Sequence, residues 1–159
     1  MPAEQLQRLT KEDVLGWLEE VADPEIPVLS VVDLGVIRDV RVHADAVEVS
    51  VTPTYSGCPA MEVIEQRVEA ALAQRGVPAT IRRVLSPPWT TDWLSEEGRR
   101  KLREFGIAPP GRRGLDLPVA CPRCRSLDTG RVSEFGSTPC KSAWRCNACL
   151  EPFEHFKCI

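Results

Sequence analysis

Seven cysteines carry most of the chemistry that this sequence of 159 residues offers, and six of them lie between Cys121 and the C-terminus. Four of the six form two C-x-x-C pairs, Cys121/Cys124 and Cys146/Cys149, which are separated by 21 residues. Two such pairs at this distance bring four thiolates into a tetrahedron that suits zinc, with Zn–S bonds of about 2.3 Å. The spacing therefore predicts a structural zinc site, with a labile iron or iron–sulfur site as the alternative.

Two further cysteines of this region lie outside the predicted zinc set. If Cys146–Cys149 is the turn of a hairpin, residue 140 lies opposite residue 155 and about 20 Å from the turn. Cys140, His155 and Cys158 would then be neighbours and could form a second metal or thiol site at the far end of the ribbon. The alternative is that both cysteines are small core residues and that His155 lies on the surface.

The seventh cysteine, Cys58, stands alone between a predicted strand and a predicted helix. Pro59 suits the first helical position, which predicts that Cys58 is the N-cap. There the helix dipole favours a thiolate that ligates metal, accepts persulfide sulfur or attacks an electrophile. The alternative is a small buried apolar residue. Asp23 and Glu25, on either side of Pro24, form an acidic turn that either coordinates metal or is a solvated helix exit.

The rest of the composition argues against several classes of function. The two histidines, His43 and His155, fall in different predicted domains, and the ten glycines are too scattered to form a phosphate-binding loop. A net charge of −3 argues against a protein whose main work is binding nucleic acid. The chain has no apolar run of about 18 residues and no N-terminal signal-peptide pattern. We therefore expect a cytoplasmic protein that binds neither nucleic acid nor membranes.

Two predicted domains must position these residues. Residues 107–118 include three prolines, two glycines and two arginines, which is typical of an exposed linker. Residues 1–106 form the first predicted domain. Residues 119–159 form an all-β zinc ribbon whose core is so small that the metal must supply much of its folding energy. Its predicted strands are 129–135, 143–145 and 152–157.

The first domain is predicted to be α+β, with the order αββαβα. Apolar residues at helical spacing indicate three helices, and alternating or valine-rich segments indicate three strands. The helix between the second and third strands predicts a parallel crossover connection. The predicted helices cover residues 10–23, 59–75 and 95–105, and the predicted strands cover residues 36–43, 46–52 and 80–85.

Several separated motifs of the first domain resemble the SufT-like metal–sulfur cluster assembly domain. The resemblance covers roughly residues 10–107 and implies a small α/β fold in which Cys58 is the functional cysteine. It also implies that Asp23 and Glu25 lie on a nearby loop, and that the protein helps to mature iron–sulfur proteins without being a turnover enzyme. The motifs are Asp23-Pro24-Glu25-Ile26-Pro27, Val31-Val32-Asp33-Leu34-Gly35, Thr52-Pro53-Thr54, Gly57-Cys58-Pro59, Ser86-Pro87-Pro88-Trp89-Thr90-Thr91-Asp92-Trp93 and Ser95-Glu96-Glu97.

The cysteine-rich tail resembles the PaaD-type accessory proteins of the phenylacetyl-CoA monooxygenase (1,2-epoxidase) system. With the first domain included, the resemblance covers nearly the whole chain, and Cys140 and Cys158 belong to its motifs. It implies a small cytosolic protein of aerobic phenylacetate degradation that a multicomponent oxygenase needs. The motifs are Phe135-Gly136-Ser137-Thr138-Pro139-Cys140-Lys141, Trp144-Arg145-Cys146 and Glu151-Pro152-Phe153-Glu154-His155-Phe156-Lys157-Cys158.

The oxygenase of that system has a carboxylate-bridged diiron subunit and a reductase with flavin and an iron–sulfur cluster. The resemblance implies that the chain assists assembly or repair of one of these centres, above all the iron–sulfur cluster of the reductase. The chain would then carry iron or an iron–sulfur cluster transiently. The alternative is a structural, non-catalytic subunit or docking module of the same oxygenase. Dimerisation through the first domain is compatible with both.

Overall fold

A computed structural model describes residues 2–55, 57–115 and 117–159. The chain divides into two compact units, Met1–Trp89 and Thr90–Ile159. Ser56, in the motif before Cys58, and Asp116, in the predicted linker, lie outside the described residues. Among the helices of the described ranges, none has the length and apolar character needed to cross a membrane.

The first unit contains a three-stranded sheet in the order β1-β2-β3. Strand β1 is antiparallel to β2, whereas β2 is parallel to β3 across helix α3, which confirms the predicted crossover connection. The short helix α1 was not expected from the sequence pattern. The elements are α1 (Ala3–Leu6), α2 (Lys11–Leu18), β1 (Ile37–Val42), β2 (Val47–Val51), α3 (Ala60–Ala73) and β3 (Ala79–Arg83).

Apolar faces of α2 and α3 build the core of this unit. Thr10 and Asp13 have the sequence spacing of a capping pair, and they cap α2, because the Thr10 hydroxyl accepts from the Asp13 N–H and the Asp13 carboxylate accepts from the Thr10 N–H. Strand β2 alternates as predicted, with its three valines buried. The predicted apolar stripe of α3 is confirmed as buried, and it consists of Met61, Ile64, Val68 and Leu72.

The second unit contains a four-stranded sheet in the order β4-β7-β6-β5. Strand β4 pairs in parallel with β7, and the other neighbours are antiparallel. The elements are a 3₁₀ turn (Thr91–Trp93), α4 (Glu96–Phe105), β4 (Ile107–Ala108), β5 (Thr129–Ser133), β6 (Lys141–Cys146) and β7 (Pro152–Phe156).

The division between the units falls earlier than the linker that composition predicts at residues 107–118. Helix α4 forms where expected, with Ser95 as its N-cap and Gly106 in the left-handed conformation at its end (φ 89°). Its last residues lead directly into β4, which extends the ribbon sheet beside β7. Helix α4 therefore belongs to the second unit because a strand inside the predicted linker attaches it there.

Candidate metal and thiol sites

Four cysteine side chains converge at one end of the ribbon sheet. The Sγ atoms of Cys121, Cys124, Cys146 and Cys149 all lie within 4.8 Å of one another. Cys121 Sγ is 3.7 Å from Cys149 Sγ, and Cys124 Sγ is 3.6 Å from Cys146 Sγ. Tetrahedral zinc with bonds of about 2.3 Å separates its sulfur ligands by about 3.8 Å. The four thiols therefore have the spacing that a four-coordinate metal ion requires.

Two similar turns present these thiols. Each C-x-x-C pair is followed by a residue with left-handed backbone, Arg125 (φ 63°) and Leu150 (φ 65°), which is uncommon for residues other than glycine. The Arg125 N–H donates to the Cys121 carbonyl over 2.9 Å and so closes the first turn. The Cys146 N–H donates to the Glu151 carbonyl over 3.0 Å and closes the second. Both turns thus direct their cysteine side chains toward one point.

The thiols perturb one another's ionisation. The hydrogen bond from the Cys149 N–H lowers the pKa of Cys146 to about 7. The Glu151 N–H favours the thiolate of Cys149, but burial and the adjacent Cys146 outweigh it and raise the pKa of Cys149 to about 12. Negative charges this close repel each other, so a bound cation is what allows all four to ionise together.

The hairpin of β6 and β7, whose turn contains the second cysteine pair, is confirmed, but the register of its strands differs from the expected one. Ser142, and not residue 140, lies opposite His155. The turn after Cys146 is longer than expected, because Arg145 pairs with Pro152. Residue 140 therefore lies opposite Lys157, whose N–H donates to the Cys140 carbonyl over 2.9 Å.

Cys140, His155 and Cys158 do not form a metal-ligand set. Cys140 is buried, with its Sγ 3.0 Å from the Thr138 hydroxyl. Cys158 is exposed, and its Sγ lies 3.5 Å from the Thr91 hydroxyl. His155 packs edge-on against an indole ring instead. Within the described ranges, the four ribbon cysteines are the sole group of three or more side chains placed to share a metal ion. The geometry therefore gives the second-site hypothesis no support.

A buried ion pair links the first and the last of the three tail motifs, and the sequence pattern alone did not indicate it. Lys141 Nζ lies 2.8 Å from Glu154 Oε2, and the lysine side chain is only 6% exposed. The same carboxylate accepts from the N–H and hydroxyl of Ser137. A Cβ at Gly136 would lie 2.5 Å from Glu154 Oε1, so this glycine allows the close approach. The motif residues thus hold the loop before β6 against β7.

Cys58 lies in a turn between β2 and α3, as expected, but one residue outside the helix cap. The N-cap is Pro59, and α3 begins at Ala60. The Cys58 N–H donates to the Tyr55 carbonyl, and the Cys58 carbonyl accepts from Met61, both over 3.3 Å. The thiol is half-buried. It therefore differs from the ribbon cysteines in being a single thiol on a connecting turn.

An arginine that the sequence pattern did not indicate, Arg83, interacts electrostatically with Cys58. Arg83 ends β3 and is the register partner of Val51, the last residue of the parallel strand β2. The Glu65 carboxylate, 2.7 Å from Arg83 Nε, raises the pKa of the arginine, and the negative charges of Glu62 and Cys58 add to this effect. The parallel pairing places Arg83 at the edge of the sheet where β2 ends and the chain continues toward Cys58.

The acidic turn has a structural explanation. Asp23 is buried, and its Oδ1 accepts from the Glu25 and Ile26 N–H groups over 2.9 and 2.7 Å. Arg67 of α3 donates to the Ala22 carbonyl over 2.9 Å and ties the turn to that helix. In the described part of the chain, Asp23, Glu25 and Cys58 do not form a metal-ligand set. Asp23 therefore shapes the turn, and Glu25 is half-buried beside it.

Comparison with known proteins assigns a family model to each part of the chain. Residues 108–157 match the model described as the PaaD zinc beta ribbon domain, and residues 11–84 match the model described as an iron–sulfur cluster assembly protein. An Escherichia coli K12 protein, provisionally named as one of the subunits of 1,2-phenylacetyl-CoA epoxidase, is 44% identical over 152 residues, which cover 92% of either chain.

Other relatives match the N-terminal part. An Fe-S protein maturation auxiliary factor from Porphyromonas gingivalis W83 is 40% identical over 98 residues, covering 58% of this chain and 90% of its own. The crystal structure of a domain of unknown function, DUF59, from Bacillus anthracis is 25% identical with a TM-score of 0.55, covering 62% of this chain and 92% of its own. The predicted fold class, an α+β domain followed by a β ribbon, is confirmed.

Proposed function

The chain belongs to the PaaD family, which includes the Escherichia coli epoxidase protein, and from this premise we propose that it is an accessory maturation factor of a phenylacetyl-CoA monooxygenase. It assists assembly of a metal centre on another subunit and does not itself catalyse oxygenation. The favoured client is the iron–sulfur cluster of the reductase, with the diiron centre as the other candidate. We place this activity in the cytoplasm, with the oxygenase subunits as partners.

The observation that carries the proposal is the separation of the cysteines into two kinds. Four thiols converge on one point of the ribbon, whereas Cys58 is a single, half-buried thiol in the unit that matches an iron–sulfur assembly model. A thiol that is not held in a closed ligand set is free to bind and release its cargo. The charge of Arg83 near Cys58 attracts an anion held there, whether thiolate or persulfide.

The ribbon thiols have a different proposed role. Zinc bound by Cys121, Cys124, Cys146 and Cys149 would stabilise the ribbon and supply no redox chemistry. The cargo of Cys58 is iron, sulfur or an iron–sulfur cluster. Because an iron–sulfur cluster commonly takes four protein ligands, Cys58 alone cannot complete its coordination. The remaining ligands would come from the client or from a second copy of this chain, which makes a homodimer part of the proposal.

A deletion strain tests the proposal. In cells that lack this protein, we expect the oxygenase subunits to accumulate but to be purified with little iron or acid-labile sulfide. Wild-type protein restores the metal content, and Cys58→Ser does not. Fully loaded subunits in the deletion strain would rule out the maturation role.

One observation favours a second candidate function, a structural subunit of the oxygenase. The Escherichia coli relative is named as a subunit of the epoxidase, not as a maturation factor. A structural subunit would co-purify with the active complex in constant stoichiometry. Full oxygenase activity with Cys58→Ser, together with such co-purification, would favour this candidate over the maturation factor.

A further inference from the structure

One face of the ribbon sheet forms the floor of a groove of about 1200 Å³ in the second unit. Register places Arg131 opposite Trp144, and Ser142 opposite His155, so these four side chains share that face. The opposite wall is formed by residues of the ranges 108–115 and 117–122, the second of which leads to the first cysteine pair. Of the four proposed zinc ligands Cys121 alone belongs to the groove lining, and Cys58 does not.

The floor combines an apolar surface with hydrogen-bonding groups. The Trp144 indole N–H donates to the Ser142 hydroxyl over 2.8 Å, and its ring centroid lies 5.8 Å from that of His155. Burial lowers the pKa of His155 to about 4, so its imidazole is neutral near pH 7. The imidazole nitrogens form no hydrogen bond within the described residues. They can therefore bond to a polar ligand such as a peptide backbone.

The described residues of the groove lining carry a net positive charge, although the chain as a whole has a net charge of −3. The described lining contains four cations and a single carboxylate, Glu134. Arg131 and Lys157 both lie near that carboxylate, with N–O distances of 2.8 and 4.0 Å. Arg103 and Arg125 form no ion pair with any described carboxylate. An excess of cations is thus concentrated in one groove of an acidic protein.

The arrangement of these charges indicates the shape of the ligand. The cations belong to different elements: Arg103 to α4, Arg125 to the first cysteine turn, Arg131 to β5, and Lys157 to the segment after β7. Donors contributed by four separate parts of the chain favour an extended anion over a single phosphate. The groove is also lined by leucine side chains that are more than half exposed: Leu115, Leu117 and Leu127.

We propose that this groove binds an extended acidic peptide segment with apolar side chains, presented by a partner protein. Carboxylates of the segment would pair with the arginines, and its apolar side chains would cover the leucines and the Trp144 ring. A nucleic-acid strand fits less well, because the described lining offers one indole ring and no row of aromatic rings on which successive bases could stack.

The inference deepens the proposed function, on which it rests for the identity of the partner as a client subunit. The groove and Cys58 lie in different units of the chain. Peptide binding can be measured without iron, sulfide or client. If the peptide did not bind, the proposed role of Cys58 would be unaffected. If the deletion strain ruled out the maturation role, the proposed binding of acidic peptides would be unaffected.

Fluorescence anisotropy with a labelled synthetic peptide tests the proposal on the full-length, zinc-loaded protein. The probe is a nine-residue peptide of alternating glutamate and leucine with a central phenylalanine. The comparison ligands are the same peptide with glutamine in place of glutamate, and a nine-nucleotide oligo-dT. We expect saturable binding of the acidic peptide, at least ten-fold weaker binding of the glutamine peptide, and weaker binding at higher salt.

Charge-reversal variants locate the binding site. Arg103→Glu should weaken binding of the acidic peptide at least five-fold, and Arg103 belongs to α4 and not to a cysteine turn. Arg100→Glu is the matched control, because Arg100 is an exposed arginine of the same helix that lies outside the lining. We also expect the indole N–H resonance of Trp144, assigned with Trp144→Phe, to shift on titration, whereas that of Trp17 stays in place.

Three results would overturn the proposal. The first is no saturable binding of the acidic peptide. The second is equal weakening by Arg103→Glu and Arg100→Glu, which would indicate nonspecific attraction. The third is tighter binding of oligo-dT than of the peptide, which would assign the groove to nucleic acid.

Discussion

The two units of this protein use cysteine in opposite ways. In the second unit four thiols lie within 4.8 Å of one another, and two turns with left-handed residues hold them there. In the first unit a single thiol lies on the turn between β2 and α3, and the unit has an apolar core of its own. A closed set of ligands stabilises a fold, whereas a single thiol beside an independent core is available for chemistry. On the proposed function, this comparison assigns a structural role to the four ribbon cysteines and the functional role to Cys58.

The largest expected effect comes from removing one ligand of the ribbon. Cys146→Ser replaces a fully buried thiol, and structural zinc contributes an apparent binding free energy of about 10–16 kcal/mol in small domains. We expect the second unit to unfold and the first to stay folded. Amide NMR spectra would show collapsed signals from Thr90–Ile159 and dispersed signals from Met1–Trp89.

The control for this prediction is Cys58→Ser, which should leave both sets of signals dispersed. Loss of dispersion in both units after Cys146→Ser would show that the first unit depends on the ribbon. The ribbon cysteines would then be needed for the folding of both units and not of the second unit alone.

The complementary change is made in the core of the first unit. Leu72 is fully buried on α3, and Leu72→Ala removes three heavy atoms from a packed site. We expect the free energy of unfolding of this unit to fall by about 3–5 kcal/mol. Urea unfolding followed by NMR would measure the loss. Zinc content should match that of wild type, and a simultaneous loss of zinc would contradict the independence of the units.

A smaller effect is expected from the buried ion pair of the ribbon. Lys141→Met leaves the Glu154 carboxylate partly buried without its cation, which should cost about 3 kcal/mol in the stability of the second unit. The matched control is Arg131→Met, which breaks the exposed pair with Glu134 and should cost less than about 1 kcal/mol. Urea denaturation of the zinc-loaded variants measures both losses, and equal losses would remove the special role of Lys141.

The smallest expected effect is a pH dependence from His155. Its pKa is about 4 when folded and about 6.5 when unfolded, so between these values the unfolded chain binds more protons. Stability should therefore fall as pH drops from 6.5 toward 4. The contribution is on the order of 1 kcal/mol because the ring is partly solvent-exposed. His155→Gln should make the free energy of unfolding depend less steeply on pH between 4 and 6.5. An unchanged pH dependence would contradict the prediction.

What the sequence could predict depended on how local the signal was. The spacing of the C-x-x-C pairs indicated the converging thiols, and the apolar period from Met61 to Leu72 indicated α3. Both signals lie within one element or one repeated turn. The capping pair of Thr10 and Asp13 is local in the same sense.

The features that the sequence missed depend on contacts between distant residues. Arg83 lies near Cys58 because β2 and β3 are parallel, and no local pattern reports that proximity. The ribbon register shifted because the longer turn pairs Arg145 with Pro152. Helix α4 joined the second unit through β4, a strand of only two residues inside the predicted linker.

Metal and sulfide analysis of Cys58→Ser beside wild type tests the central claim most directly. Both proteins are purified, incubated anaerobically with Fe²⁺ and sulfide, and desalted before analysis. We predict about one zinc per chain in both proteins, since four thiolates complete one tetrahedral site, and bound iron or sulfide in the wild type alone. Loss of zinc from Cys58→Ser, or equal iron and sulfide in the two proteins, would contradict the division between structural and functional cysteines.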